Sequence, residues 1–397
     1  GKSFVPDIDP LAFSNYYAGW VMSNVPQITD NRTNLLSAYA TASYSYKEYF
    51  TLNANTRYDG SNKFGSRSNE KLLPVWSVSG MTDLKNVIGI EANWLENLTL
   101  KASYGEQGNM LDGQMPVLVI KKGSYSSYYD EMIAKTSAFA NPDLKWEKTH
   151  STNVGIETSL FNSRLMLGVE YYHKKTTDAF MDKTISNVNG FSSYVVNSGT
   201  VINKGYNINV TAIPVKTQDF SWIFSGNLSK INNEMKTAPG QETYELANFL
   251  NGTAVVQGQP IGTFYSYKFA GLSPVDGGPL FDDWEERQKE LVGLSKYDTY
   301  TRVLVASGRR DPNITGSINN TFNYRSWRLG ITMNYSLGAK TRLFRMMEDF
   351  VNGYSAEMNV NRDMLNAWKK PGDELKTNIP SVMGSSSSGY YYYSSHW

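Results

Sequence analysis

Apolar and polar residues alternate one for one along eight separate stretches of this sequence, and a period of two commits a chain to β-strands rather than helices. From residue 36 the even positions read Leu36, Ala38, Ala40, Ala42, Tyr44 and Tyr46, against Ser37, Tyr39, Thr41, Ser43, Ser45 and Lys47. After a tight turn near Lys47-Glu48, Phe50, Leu52, Ala54 and Tyr58 take one side while Thr51, Asn53, Asn55 and Arg57 take the other. Thr152, Val154, Ile156 and Leu160 lead through a turn at 161–164 into Leu165, Leu167, Val169 and Tyr171. The device repeats at Tyr206, Ile208, Val210 and Ala212, then at Phe220, Trp222, Phe224 and Leu228. A last hairpin joins Ile314, Ile318, Phe322 and Tyr324 to Trp327, Leu329, Ile331, Met333, Tyr335 and Leu337. Two weaker segments, around 74–82 and 98–105, bring the expected strands to ten.

The connections sort by length. Those near 47, 83–97, 161–164, 214–219 and 325 are short or moderate, whereas 59–73, 106–150, 174–204, 230–313 and 338–397 read as mostly long loops. Short turns at one end of the strands and long loops at the other are the pattern of an outer-membrane β-barrel. A soluble sheet with one wet face alternates too, but here the apolar rows begin or end on aromatics and the opposing rows are rich in Asn, Ser and Thr. Those are the marks of interfacial girdles and a hydrated lumen. Composition fits once it is split by face: 13% of residues are aromatic and 19% charged, with a mean hydropathy of −0.43. No run of about 18 apolar residues occurs, which excludes a transmembrane helix. Absence of cysteine removes disulfides and thiolate chemistry. With 38 Lys+Arg against 37 Asp+Glu, the chain as a whole has no broad attraction to nucleic acid or to an anionic surface. The expected fold is all-β, a transmembrane antiparallel β-barrel of which this chain supplies about ten strands with long extracellular loops.

Several ordered motifs make the expectation specific. NPDLKWEKTHSTNVGIETSLFNSRLMLGVEYYHKKTTD (141–178), VNSGTVINKGYNI (196–208), GQPIGTFYSYKFAGL (258–272), the hairpin 311–340 and WKKPGDELKTNIP (368–380) follow one another. Upstream stand RYDGSNKFGSRSNEKLLPVWSVSG (57–80) and LKASYGEQGN (100–109). Together they resemble SusC-like (SusC/RagA) TonB-dependent outer-membrane transporters over most of residues 35–397. The resemblance implies a barrel of about 22 strands closed by an N-terminal plug, placed in the bacterial outer membrane among membrane lipid and lipopolysaccharide. It implies import of oligosaccharides or oligopeptides, energised through TonB acting on the plug, with a SusD-like lipoprotein as the lid. Nothing in the sequence resembles the plug, the TonB box or the final strands, so residues 1–397 read as the middle-to-late part of the barrel domain.

For ligand contacts the long loops offer Tyr125, Tyr128 and Tyr129 in YSSYYD, Trp284 in FDDWEE, and Tyr390 and Tyr391 in YYYY. Aromatic faces beside polar groups suit sugar rings; packing of the loops on one another or on the lid is the plainer role. Asp276, Asp282 and Asp283 have oxygens suited to Ca²⁺ but lack the spacing of a calcium loop; no other cofactor is expected. The acidic stretch 283–291 reads as a charged helix. Trp146, Gly199 and Gly205 are expected to be architectural, at a rim, a turn or a crowded backbone position. His150, His173 and His396 are far apart in sequence and lack paired ligand spacing, and no nucleotide-binding or nucleophile motif occurs, so no enzyme is expected. An active importer is the first reading. A passive porin and a soluble glycan-binding β-protein are the alternatives.

Overall fold

The computed structural model describes residues 34–381 apart from positions 48, 62–71, 111–117, 139, 185–192, 239–243, 283–286, 343–356, 358 and 360–361. In chain order its strands are β1 Leu35–Tyr46, β2 Phe50–Ser61, β3 Leu72–Asp83, β4 Leu95–Asn109, β5 Val119–Ser126, β6 Glu131–Ala138, β7 Glu147–Leu160, β8 Leu165–Thr184, β9 Ser193–Lys216 and β10 Phe220–Met235. Then come β11 Thr263–Ser266, β12 Phe269–Leu272, β13 Pro279–Phe281, β14 Val305–Arg309, β15 Ile314–Tyr324 and β16 Trp327–Leu337. Three short helices join them: α1 Leu84–Ile88, α2 Leu246–Leu250 and α3 Lys296–Val303. Ten strands form one sheet in the order β1-β2-β3-β4-β7-β8-β9-β10-β15-β16. Every neighbouring pair is antiparallel. These are the ten strands that alternation predicts.

Register carries one face through the whole sheet. Phe50 lies opposite Thr82, Thr82 opposite Leu100, Leu100 opposite Ile156, and Ile156 opposite Val169. Val169 then meets Ile208, Ile208 meets Leu228, and Gly316 links Leu228 to Tyr335. A slip of one residue in any pair would have moved the apolar set to the other side. On the outward face Leu329, Ile331 and Met333 are each more than half exposed, as side chains meant for lipid must be. The other face ties itself together with cross-strand bonds such as Ser43 to Asn53 at 2.7 Å, Asn153 to Ser103 at 3.0 Å and Asn227 to Ser317 at 2.7 Å. Asn320 stands on the outward face between Ile318 and Phe322, and its Oδ1 accepts the Trp222 indole N–H at 3.0 Å. A polar group in hydrocarbon needs such a partner.

Aromatics mark the two ends of the outward face. Near the short turns stand Tyr46, Phe50, Trp94, Phe161, Tyr324 and Trp327, all well exposed, with the Trp94 and Phe161 rings 6.3 Å apart. Higher up, Tyr58, Tyr104, Tyr171 and Tyr206 are exposed in the same way. Trp327 and Tyr335 are eight residues apart on β16, which at about 3.4 Å per residue and about 40° of tilt spans roughly 21 Å of membrane normal, close to an apolar band of about 25 Å.

The buried side chains gather at the long-loop end rather than under the sheet, in clusters such as Ala179, Met181, Val201 and Met235, and Phe249, Ala254, Tyr265 and Leu304. There the structure corrects three expectations. Residues 174–204 are not a long loop: β8 runs on to Thr184 and β9 begins at Ser193. Beyond the lipid both faces of a strand meet water, so Lys174-Lys175-Thr176-Thr177 shows no alternation although it is extended. Residues 230–313 are likewise not a loop without structure, since they contain β11 to β14 and two helices. The predicted helix over 283–291 is reduced, among described residues, to a single 3₁₀ turn at Gln288–Glu290. Gly199 and Gly205 lie inside β9, not in turns; a Cβ on Gly199 would stand 3.0 Å from both the Ala179 Cβ and the Met181 Sδ.

Candidate functional site

Two surfaces are placed to meet a ligand: the polar wall of the sheet and the loop assembly above it. On the wall, Asn53, Ser79, Ser103, Asn153, Glu170 and Asn209 line a hollow of ≈ 330 Å³. A larger hollow of ≈ 820 Å³ beside it is lined by Thr41, Asn55, Arg57, Ser77 and Gln107, among others. Both lie on the polar face, which identifies it as the concave, luminal side. Two ion pairs lie on it, with Lys101 Nζ 2.6 Å from Glu157 and Arg57 Nε 2.6 Å from Asp59, while Glu170 accepts from Asn207. What the wall offers a passing molecule is therefore mainly hydrogen-bonding groups, with the Glu170 carboxylate among them.

The rim above the wall is built from two of the sequence motifs acting on each other. The Asn197 side chain accepts from the Lys145 amide at 3.0 Å and donates to the Lys145 carbonyl at 2.8 Å and the Asp178 carbonyl at 2.9 Å. Asn141 returns a bond to the Val195 carbonyl at 2.6 Å, and Glu147 accepts from the Phe180 amide at 2.8 Å. Trp146 is buried beside Val75 and Met110, so it closes the rim as an architectural residue. Asp178 holds a left-handed φ of 56° inside β8, at the register shift that lets the Asn197 amide reach in.

A second assembly fills residues 244–309. Phe249, buried completely, packs against Tyr265, Tyr297 and Tyr300 with ring centroids 5.5, 5.9 and 5.3 Å away. Ser295 caps α3 by accepting from the Asp298 amide at 3.1 Å, and this Ser-x-x-Asp pair was a helix signal legible in the sequence. Arg342, arriving from beyond β16, donates to the carbonyls of Leu250 and Tyr265 and to the Ser266 hydroxyl. Burial lowers its guanidinium pKa to about 10, so it stays charged at neutral pH. Each charge-assisted bond is worth about 1.5–3 kcal/mol. Arg342→Met is therefore expected to free this assembly while sparing the sheet, read as cleavage within 246–304 about tenfold faster in limited proteolysis of the membrane-embedded protein.

The 368–380 motif docks on the β12–β13 hairpin. Trp368 lies against Gly277, where a Cβ would stand 2.4 Å from the indole ring, and its Nε1 donates to Glu374 at 3.1 Å. Ser381 donates through its amide to the Gly277 carbonyl at 3.0 Å and through its hydroxyl to the Asp276 carbonyl at 2.7 Å.

These contacts decide where the predicted ligand residues stand. Tyr128 and Tyr129 form the exposed tip of the β5–β6 hairpin, their rings edge-on at 4.8 Å. Tyr125 pairs with Met132 in the same hairpin. Trp284, Tyr390, Tyr391 and Asp283 lie outside the described residues. Asp276 is held in its turn by the Ser273 hydroxyl and the Gly278 amide, which keep its carboxyl below the usual carboxylate range. Asp282 lies past the far end of β13 and pairs with Lys268 at 2.9 Å, so the fold does not bring the two acids together. Among the described residues no group of three His, Asp or Glu could hold a metal ion. His150 and His173, remote in sequence, stand on adjacent strands, since His173 is opposite Thr152; only the register reveals that.

A family model described as TonB dependent receptor-like, beta-barrel matches residues 5–361. TonB-dependent receptor P3 of Formosa agariphila is 25% identical over 96% of this chain and 39% of its own length. TonB-dependent receptor SusC of Bacteroides thetaiotaomicron is 28% identical over 53% of this chain and 21% of its own. Among solved structures, the RagAB peptide transporter superposes with a TM-score of 0.74 at 26% identity, over 90% of this chain and 39% of that one. The chain thus spans 39% of the length of P3 and of the RagAB transporter chain.

Proposed function

This chain belongs to the TonB-dependent receptor-like β-barrel family of the bacterial outer membrane, with SusC- and RagA-like relatives, and on that premise we propose that it forms part of the wall of an active nutrient importer. Cargo is an oligosaccharide or an oligopeptide, handed over by a SusD-like surface lipoprotein at the extracellular mouth. TonB, acting on a plug in the lumen, supplies the energy. The family is one of transporters, and no catalytic step is assigned to any residue. The observation that carries the reading is the register, which across ten antiparallel strands sets a hydrogen-bonding wall against an exposed apolar one.

A wall of Asn, Ser and Thr with paired charges suits a neutral polar chain such as an oligosaccharide, which slides between equivalent hydrogen bonds without a deep electrostatic trap. Kinship with the RagAB peptide transporter supports the peptide as cargo. Uptake of labelled glycan and peptide libraries by cells carrying the full-length receptor separates the readings. Uptake of one class that stops when the proton gradient is collapsed is the expected result. Uptake that continues unchanged would make the protein a passive porin, and uptake of neither class would overturn import.

A further inference from the structure

We propose that the outward face of this barrel binds the phosphate groups of a glycolipid in the surrounding outer leaflet, through Lys175, Lys204 and Lys230 with His150 and His173. The whole chain has a formal net charge of only +1, but register gathers basic residues in one place. His150 lies directly opposite Lys175, His173 opposite Lys204, and Lys230 opposite Tyr206. On the luminal face Lys101 and Arg57 have carboxylate partners. Among the described residues, Lys175, Lys204 and Lys230 have none.

Glu106 is the acid that faces this patch, with its Oε2 3.7 Å from His150 Nδ1; Glu234, higher on β10, is taken by Lys236. Lys175, Lys204 and Lys230 stand on three successive strands of one face, and an anion shared between them offsets the mutual repulsion of their ammonium groups. Lys230 Nζ also lies 6.0 Å from the Tyr206 ring centroid, which ties the patch to the aromatic girdle.

Height selects the ligand. Counted from the turns at 161–164 and 217–219, these five residues stand about 9–13 positions up their strands. A rise of about 3.4 Å and a tilt of about 40° put them roughly 23–34 Å above the short-turn end. That is the upper edge of an apolar band of about 25 Å and the layer just above it, among headgroups, where lysine stems extend along the wall and present their ammonium groups. Lys175 and Lys204 stand exposed on an open sheet face, which gives a free anion little enclosure. A phosphomonoester anchored by acyl chains is already concentrated in that plane, so weak contacts from several lysines suffice.

The inference rests on the outer-membrane location and not on transport, so a receptor that moved no cargo would still bind. The full-length receptor and its Lys175→Gln/Lys204→Gln/Lys230→Gln variant are equilibrated in detergent with lipid A carrying one phosphate, with dephosphorylated lipid A, or with inorganic phosphate. Bound molecules are counted by native mass spectrometry. Expected is retention of the phosphorylated lipid by the wild type, about tenfold weaker in the triple variant, with the dephosphorylated form binding both alike. Lys289→Gln, on an exposed loop, should behave as wild type. Equal retention of the two lipids by the wild type, or unchanged retention by the variant, would overturn the proposal. So would inorganic phosphate binding as tightly as the lipid. Glu106→Gln removes the facing acid and is expected to strengthen retention severalfold; no gain there overturns the proposal even if the triple variant fails to assemble.

Discussion

Leu167→Arg is expected to cost the barrel about 2–4 kcal/mol, while Glu170→Gln, three residues along the same strand, costs little. Leu167 stands on the outward row of β8, opposite Thr158 on one side and Val210 on the other. It lies between the turn at 161–164 and the girdle residue Tyr171, too deep for an arginine to reach either interface without thinning the bilayer. Glu170 points the other way, toward the hollow it lines with Asn153 and Asn209, and accepts a long hydrogen bond from Asn207 at 3.4 Å. A glutamine oxygen can accept the same bond in a hydrated lumen. Denaturant titration of the full-length protein in lipid vesicles reads both effects. Equal tolerance of the two changes would mean that the faces are assigned the wrong way round.

How far the sequence carries depends on what surrounds each strand. Inside the membrane one face meets hydrocarbon and the other water, so β7, β8, β15 and β16 write a period of two that needs no further information. Past the upper girdle that contrast ends. The continuation of β8 through Lys174 to Thr177 and the start of β9 remain in the sheet, yet their side chains carry no alternation to read. The three- to five-residue strands of the 244–309 assembly are shorter than any period can mark. They are held by a residue from another part of the chain, Arg342.

The motifs were legible as motifs but not as contacts. NPDLKWEK and VNSG, some 50 residues apart, turn out to be two halves of one joint centred on Asn197. Asp276 and Gly277, read as a conceivable calcium turn, form a seat for Trp368 and Ser381. In both places long-range partners decide the role of a polar residue, and local spacing cannot name a partner a hundred positions away. The same holds for the basic patch: a chain-wide charge near zero hides it, and only the pairing of β7, β8, β9 and β10 assembles it.

Gly205→Ala tests the tightest of these joints. An alanine Cβ there would lie 2.0 Å from the Lys230 carbonyl oxygen and 2.6 Å from the Tyr172 hydroxyl. Tyr172 is the direct cross-strand partner of Gly205 and covers it on the luminal side. A side chain can swing aside, but a carbonyl in a ladder cannot. Relief therefore requires β9 and β10 to part, at about 3 kcal/mol, the upper end of what overpacking costs. Gly168→Ala is the control, because its Cβ would meet only the Glu157 Cγ at 3.7 Å and the Asn209 Cβ at 3.9 Å, ordinary contacts that predict near-neutral behaviour. Adding Tyr172→Ala to Gly205→Ala separates the two obstacles. Persistence of most of the loss would assign it to the Lys230 carbonyl and hence to backbone approach. Full recovery would assign it to the tyrosine lid, and a Gly205→Ala variant as stable as Gly168→Ala would mean that β9 and β10 do not approach this closely.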